Sequence, residues 1–119
     1  MEFKSQICTT EEQSKRLLAM GLKRETADCV MMYYDGWHIG EAEHFDFDED
    51  PVDPAWSLHR LMEIGNIDSI MPNIPIDGWY DYLIAHIQSY IHLGYINEEY
   101  LNMDIVNENE EQNIKLMYM

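Results

Sequence analysis

The sequence predicts a small α+β domain, on three observations. Apolar residues recur at helical spacing in several segments, each opened by a capping residue. An Asp-Gly pair, Asp35-Gly36, lies between two β-prone runs. Glycine and proline divide the remainder into short pieces. Three main helices and one short helix are expected to pack on a small antiparallel β-sheet or hairpin. At 119 residues the chain suits a single domain, one that buries roughly two-thirds of the surface its unfolded form exposes.

The first helix opens at Thr9 or Thr10. Both Thr9–Glu12 and Thr10–Gln13 fit the capping box, in which side chains at the cap and three residues on satisfy each other's backbone donors. Glu11 and Glu12 suit the positive end of the helix dipole, and Lys15 and Arg16 lie further on. Leu17, Leu18 and Met20 form its apolar side, and Gly21 stops it. Residues Arg24 to Cys29 fit one more helical turn.

Strands are expected near Val30–Tyr34 and Trp37–Ile39, joined at Asp35-Gly36, where both turn residues tolerate positive φ. The competing reading is a loop after a helix. In Glu41–Asp53, Phe45 and Phe47 alternate with charged residues, which suits a short edge strand ended by Pro51. Asp53 as N-cap and Pro54 at the first helical position predict a second helix with Leu58, Leu61, Met62 and Trp56 facing inward, ended by Gly65. A third strand fits Ile67–Ile70.

The strongest helical signal follows. Tyr80, Leu83, Ile84, Ile87 and Ile91 build one stripe, Asp77 suits the cap, and Gly94 supplies a left-handed stop with Tyr95 folding back on Tyr90. Asn97 then caps a short helix through Leu101. Residues 1–101 are expected to form the domain. Residues 102–119 are expected to be a tail, partly disordered or an edge strand, because Ile114, Leu116 and Tyr118 alternate.

Charge narrows the function. Seven Lys and Arg stand against 23 Asp and Glu, a net charge of −16. Between Glu25 and Ile114 there are 20 acids and one base, Arg60. Such a field repels nucleic acid and anionic membrane and steers basic protein surfaces inward. No run of about 18 apolar residues spans a membrane, and the segment MEFKSQICTTEEQ lacks the apolar core of a secretion signal. Two cysteines, Cys8 and Cys29, make no disulfide framework, which points to a reducing, cytoplasmic setting.

The runs KSQICTTEEQSKRLLAMGL, PAWSLHRLMEI and IHLGYINEEYL carry a resemblance. They resemble a group of small proteins of gut bacteria, often encoded in mobile or phage-derived DNA, with no established activity. About half of the chain takes part. The acidic segment Glu41–Asp53 and the part after Leu101 depart from the group. The resemblance implies a bacterial or phage cytoplasmic setting and a compact α+β domain, and it implies no catalytic residue.

Candidate chemistry is sparse. Asp46, Asp48 and Asp50 alternate as calcium ligands do, but a calcium loop from Asp46 requires glycine where Pro51 stands and glutamate where Ser57 stands. His86 and His92 lie about 120° apart on one helix. A site of His38, His44 and Asp46 remains open, with no zinc spacing behind it. Cys8 precedes a helix N-terminus, where a thiolate is favoured, yet no base partner is identifiable. No catalytic residue, cofactor or metal is assigned.

The interaction surface assigned from sequence is Trp37, Glu41, Glu43, Phe45, Asp46, Phe47, Asp48, Glu49, Asp50 and Asp53. It combines carboxylates with aromatic anchors. His59 and Arg60 are the candidate ligand anchor, Arg60 being the lone cation among acids. Three functional readings follow. The leading one is a non-enzymatic interaction module that binds a basic protein surface, with DNA mimicry as its narrower form. The second is a small self-associating structural protein, a homodimer. The third is a small-molecule binder or hydrolase with a pocket near Arg60.

Overall fold

In the computed structural model, which describes residues 7–33, 36–67 and 78–117 and, for Trp37 and 112–117, the backbone alone, the core is built on one helix. That helix is α3 (Trp79–Leu93), and the stripe Tyr80, Leu83, Ile84, Ile87 and Ile91 is buried along its length. It stops as its sequence dictates. Gly94 takes φ 79°, Gly94 N–H donates to Ile91 O, and Tyr95 N–H donates to Tyr90 O at 2.8 Å. The Tyr90 and Tyr95 rings then meet edge to face at 5.3 Å, the apolar contact of a Schellman stop. The expected Asp77 cap lies outside the described residues. Gly78 occupies the N-cap position without a side-chain bond.

α1 (Glu11–Ala19) opens on the Thr10–Gln13 capping box, with both reciprocal bonds made. Thr9 has a different task. It is buried, its hydroxyl meets Ser14 Oγ at 2.7 Å and accepts from Trp56 N–H at 3.0 Å. α1 also closes with a Schellman pair, Gly21 N–H to Leu18 O and Leu22 N–H to Leu17 O, around Gly21 at φ 110°. Arg24–Thr26 form the expected extra turn, as a 3₁₀ helix.

The sheet has the order β2-β1-β3 and is antiparallel throughout, formed by β1 (Cys29–Tyr33), β2 (Trp37–Glu41) and β3 (Asp53–Ala55). Tyr33 pairs with Trp37, so three residues, 34–36, join the hairpin instead of the expected pair. Gly36 supplies the positive φ of 113°, while Tyr34 and Asp35 lie outside the described residues. So do residues 68–70 of the expected strand at Ile67–Ile70.

Three expectations are corrected. Asp53 and Pro54 start no helix. They lie in β3, where proline is tolerated at a sheet edge. Trp56, fully buried, draws this backbone out straight by donating from its indole to Thr26 Oγ1 at 2.9 Å. The helix start shifts to Ser57, whose hydroxyl accepts from Arg60 N–H, and α2 runs Leu58–Ile64. The Phe45–Phe47 stretch is not a strand either. Ala42–His44 form a 3₁₀ turn, Phe45 packs over Gly40, Phe47 packs against the main core, and neither alternates outward.

The third correction concerns the expected tail or edge strand. Met103–Met117 form a fourth helix, α4. Asn102 holds its start by accepting from Asp104 N–H, and Val106 enters the main core. Asn97 caps the short 3₁₀ turn Glu98–Tyr100 just before it, as expected. Four helices and the sheet together form one compact globule.

Candidate functional site: an acidic concavity beside the hairpin

Antiparallel pairing decides which acids meet. Cys29 pairs with Glu41, and Ala42 N–H donates to Asp28 O at 3.1 Å, so the chain before β1 lies against the chain after β2. This places Glu25 and Asp28 opposite Glu41 and Glu43. Together with Ala27, Cys29, Ala42 and Phe47, these four acids line a concavity of about 750 Å³, with no lysine or arginine among the described residues of its lining. Glu25 and Asp28 escape the sequence reading. Continuing the hairpin register one residue back from Cys29 was the signal that would have found Asp28; Glu25 lies three residues further back, in the turn Arg24–Thr26, and no pattern pointed to it.

The remaining predicted residues take distinct roles. Asp46, Asp48 and Asp50 build a tight turn: Asp46 Oδ1 accepts from Asp48 N–H at 2.9 Å and Asp50 Oδ2 accepts from Asp46 N–H at 2.7 Å. Asp48 pairs with the Arg24 guanidinium, which also meets Glu25 at 3.4 Å and lies 5.8 Å from the Phe47 ring centre. The three aspartates therefore serve three partners and form no calcium cage. Glu49 and Asp53 are exposed, and Asp53 lies on the far strand β3, away from Glu41 on β2. Trp37 begins β2.

Among the described residues, Glu41, Glu43 and His44 hold their ligand atoms within 4.8 Å of one another. This is a different set from His38, His44 and Asp46. His44 Nε2 lies 3.2 Å from Glu41 and 3.8 Å from Glu43, and all three side chains are mostly in solvent, as in an ordinary surface ion pair.

Arg60 serves as a joint. Its Nε donates to Thr26 O at 2.8 Å, its guanidinium lies 5.4 Å from the Tyr100 ring centre, and Glu63 is 4.0 Å away. Only 24% of its side chain is exposed. His59 is exposed beside Glu63. Arg60 lines neither the acidic concavity nor a second one of about 660 Å³, which α1, α3 and α4 enclose with Arg16, Met20, Gln88, His92, Val106 and Glu110.

The helix N-terminus that follows Cys8 activates neither thiol. Cys8 lies before the Thr10 cap, buried with Met31 and Ala55, and Cys29 packs against the same cluster. Burial first, and the Asp28 carboxylate second, push both thiols up, Cys29 to about 12. A protonated thiol is a poor nucleophile. Among the described residues no helix is long and apolar enough to cross a membrane. No protein-family model matches the chain, and no curated protein or solved structure matches it significantly.

Proposed function

We propose that the protein is a non-enzymatic interaction module whose acidic face binds a basic surface on a partner protein. One observation carries this reading: Glu25, Asp28, Glu41 and Glu43 surround a concavity that no lysine or arginine among the described residues lines, with half-buried Phe47 within it. Low-dielectric walls focus the field of such a group, and the net charge of −16 steers cations toward it from a distance. Complementary charge of this kind acts mainly on association rate and partner choice. DNA mimicry is the narrower form, in which the partner's phosphate-binding cations meet these carboxylates.

The test is capture from bacterial lysate by the immobilised full chain and by a Glu25→Gln/Glu41→Gln/Glu43→Gln variant. Asp28 is left intact because it accepts from Ser57 N–H at 2.8 Å. The wild type is expected to retain a basic protein at low salt. Retention falls at about 0.5 M, where exposed charges more than a few ångströms apart are screened. The variant retains several-fold less at low salt. Equal recovery by both chains contradicts the reading. For the mimic, added wild-type chain displaces duplex DNA from the captured protein, and persistence of the protein–DNA complex excludes that form.

A further inference from the structure

The two edges of the sheet are unlike. β3 has three residues and carries Pro54, which has no amide hydrogen to offer a further strand. The chain leaving β3 is tied to residue 9, with Thr9 N–H donating to Trp56 O at 2.9 Å and Trp56 N–H donating back to Thr9 Oγ1. Among the described residues, β2 forms the opposite edge, with five residues. It contains no proline, lysine or arginine, and its register with β1 runs from Tyr33–Trp37 to Cys29–Glu41 without a bulge. Proline, lysine, bulges and short length are the means by which sheet edges are closed to added strands. β3 has two of them and β2 has none.

The surroundings of β2 say what kind of strand suits it. Paired residues share a sheet face, so Tyr33 lies on the face of Ile39 and Met31. Met31 is buried, whereas Ile39 is 49% and Tyr33 70% exposed, leaving apolar surface next to this edge. At and just beyond its end, Glu41 and Glu43 line one concavity with Glu25 and Asp28. A second copy of this chain would bring the same acids and another −16 to the edge. A basic segment would bring the opposite sign.

We propose that β2 is a docking edge for an extended basic segment of a partner protein, which adds antiparallel or parallel as a fourth strand. Its backbone supplies the pairing. An apolar side chain rests beside Ile39, and lysines or arginines from two residues further along, on the same face, reach Glu41 and Glu43. Strand addition draws affinity from main-chain hydrogen bonds and specificity from alternate side chains. The proposal rests on the acidic-interaction reading and names the form of its partner.

The test uses the full chain and three synthetic probes of about ten residues, long enough to cover a five-residue strand. The first carries valines in its central part and lysines toward both ends, the second is its fully N-methylated form, and the third has glutamates in place of the lysines. The lysine–valine peptide is expected to bind at low salt and to slow amide exchange within Trp37–Glu41. Loss of the backbone donors weakens the N-methylated peptide by about tenfold or more, and the glutamate peptide does not bind. Equal binding of the two basic peptides overturns strand addition while leaving the acidic reading intact. Failure of both basic peptides overturns the two together. A dimer in sedimentation without peptide, with β2 amides protected in it, assigns the edge to a second copy and overturns the proposal.

Discussion

Gly21 and Gly94 both end helices in positive-φ conformations, yet their surroundings differ. A Cβ at Gly21 would lie 2.6 Å from Val106 Cγ2, while at Gly94 nothing lies within 4 Å. Gly94→Ala therefore costs only the left-handed backbone strain, about 1 kcal/mol. Gly21→Ala adds a clash with α4 and is expected to cost about 2–3 kcal/mol in total. Urea denaturation of the two variants checks the order. The thiols make a second prediction at this scale. Burial raises the Cys29 thiol from 9.0 to about 12 and Tyr80 from 10.0 to about 12. The fold thus favours the protonated forms. Stability from these groups is complete below the unfolded values and is lost as pH rises through the folded ones. The urea midpoint should fall from about pH 9 upward, and Cys29→Ala should flatten the first part of that fall. A midpoint unchanged up to pH 11 would contradict the burial.

At the scale of elements, the start of α2 separates two readings of one stretch. Ser57 caps the helix and binds Asp28, while Asp53 lies exposed in β3. Ser57→Ala is expected to destabilise the fold by about 1–2 kcal/mol, and Asp53→Ala by less than about 0.5 kcal/mol. The reverse order in thermal or urea unfolding would restore the cap at Asp53. Local chemistry was legible where a feature needs only its neighbours. The Thr10–Gln13 box, the Gly94–Tyr95 stop and the Tyr80–Ile91 stripe are all of this kind. The sequence misled where a distant residue decides. Asp53-Pro54 reads as a helix start until Trp56 is known to reach Thr26. The helix α4 was missed because Met103 and Val106 are its few inward apolar residues among acids, while Ile114, Leu116 and Tyr118 suggest a period of two. Glu25 and Asp28 were missed for a similar reason: they join the site only through pairing across the hairpin.

For the whole molecule, α4 closes the globule over the end of α1. Leu22 and Leu101 form an antiparallel bridge, Asn102 N–H donates to Gly21 O at 2.7 Å, and Asn109 donates to Ala19 O at 3.1 Å. A chain ending at Leu101 loses Val106 and the bonds made by Asn102 and Asn109, so its unfolding midpoint should drop well below that of the full chain. An unchanged midpoint would mean that α4 adds nothing to the core. Six of the seven cations lie within residues 4–24 or at Lys115 of the sequence. Among the described residues, Arg24 is paired with Asp48 and Glu25, and no lysine or arginine lines the concavity beside the hairpin.

The acidic hairpin side is the binding surface proposed for this protein. Amide chemical-shift mapping of the full chain, titrated at low salt with a lysine-rich peptide, tests it most directly. Shifts are expected only in residues 25–29 and 37–48, reversed by salt and largely absent in the Glu25→Gln/Glu41→Gln/Glu43→Gln variant. Shifts centred instead on the concavity enclosed by α1, α3 and α4, or spread evenly over the surface acids, would contradict it.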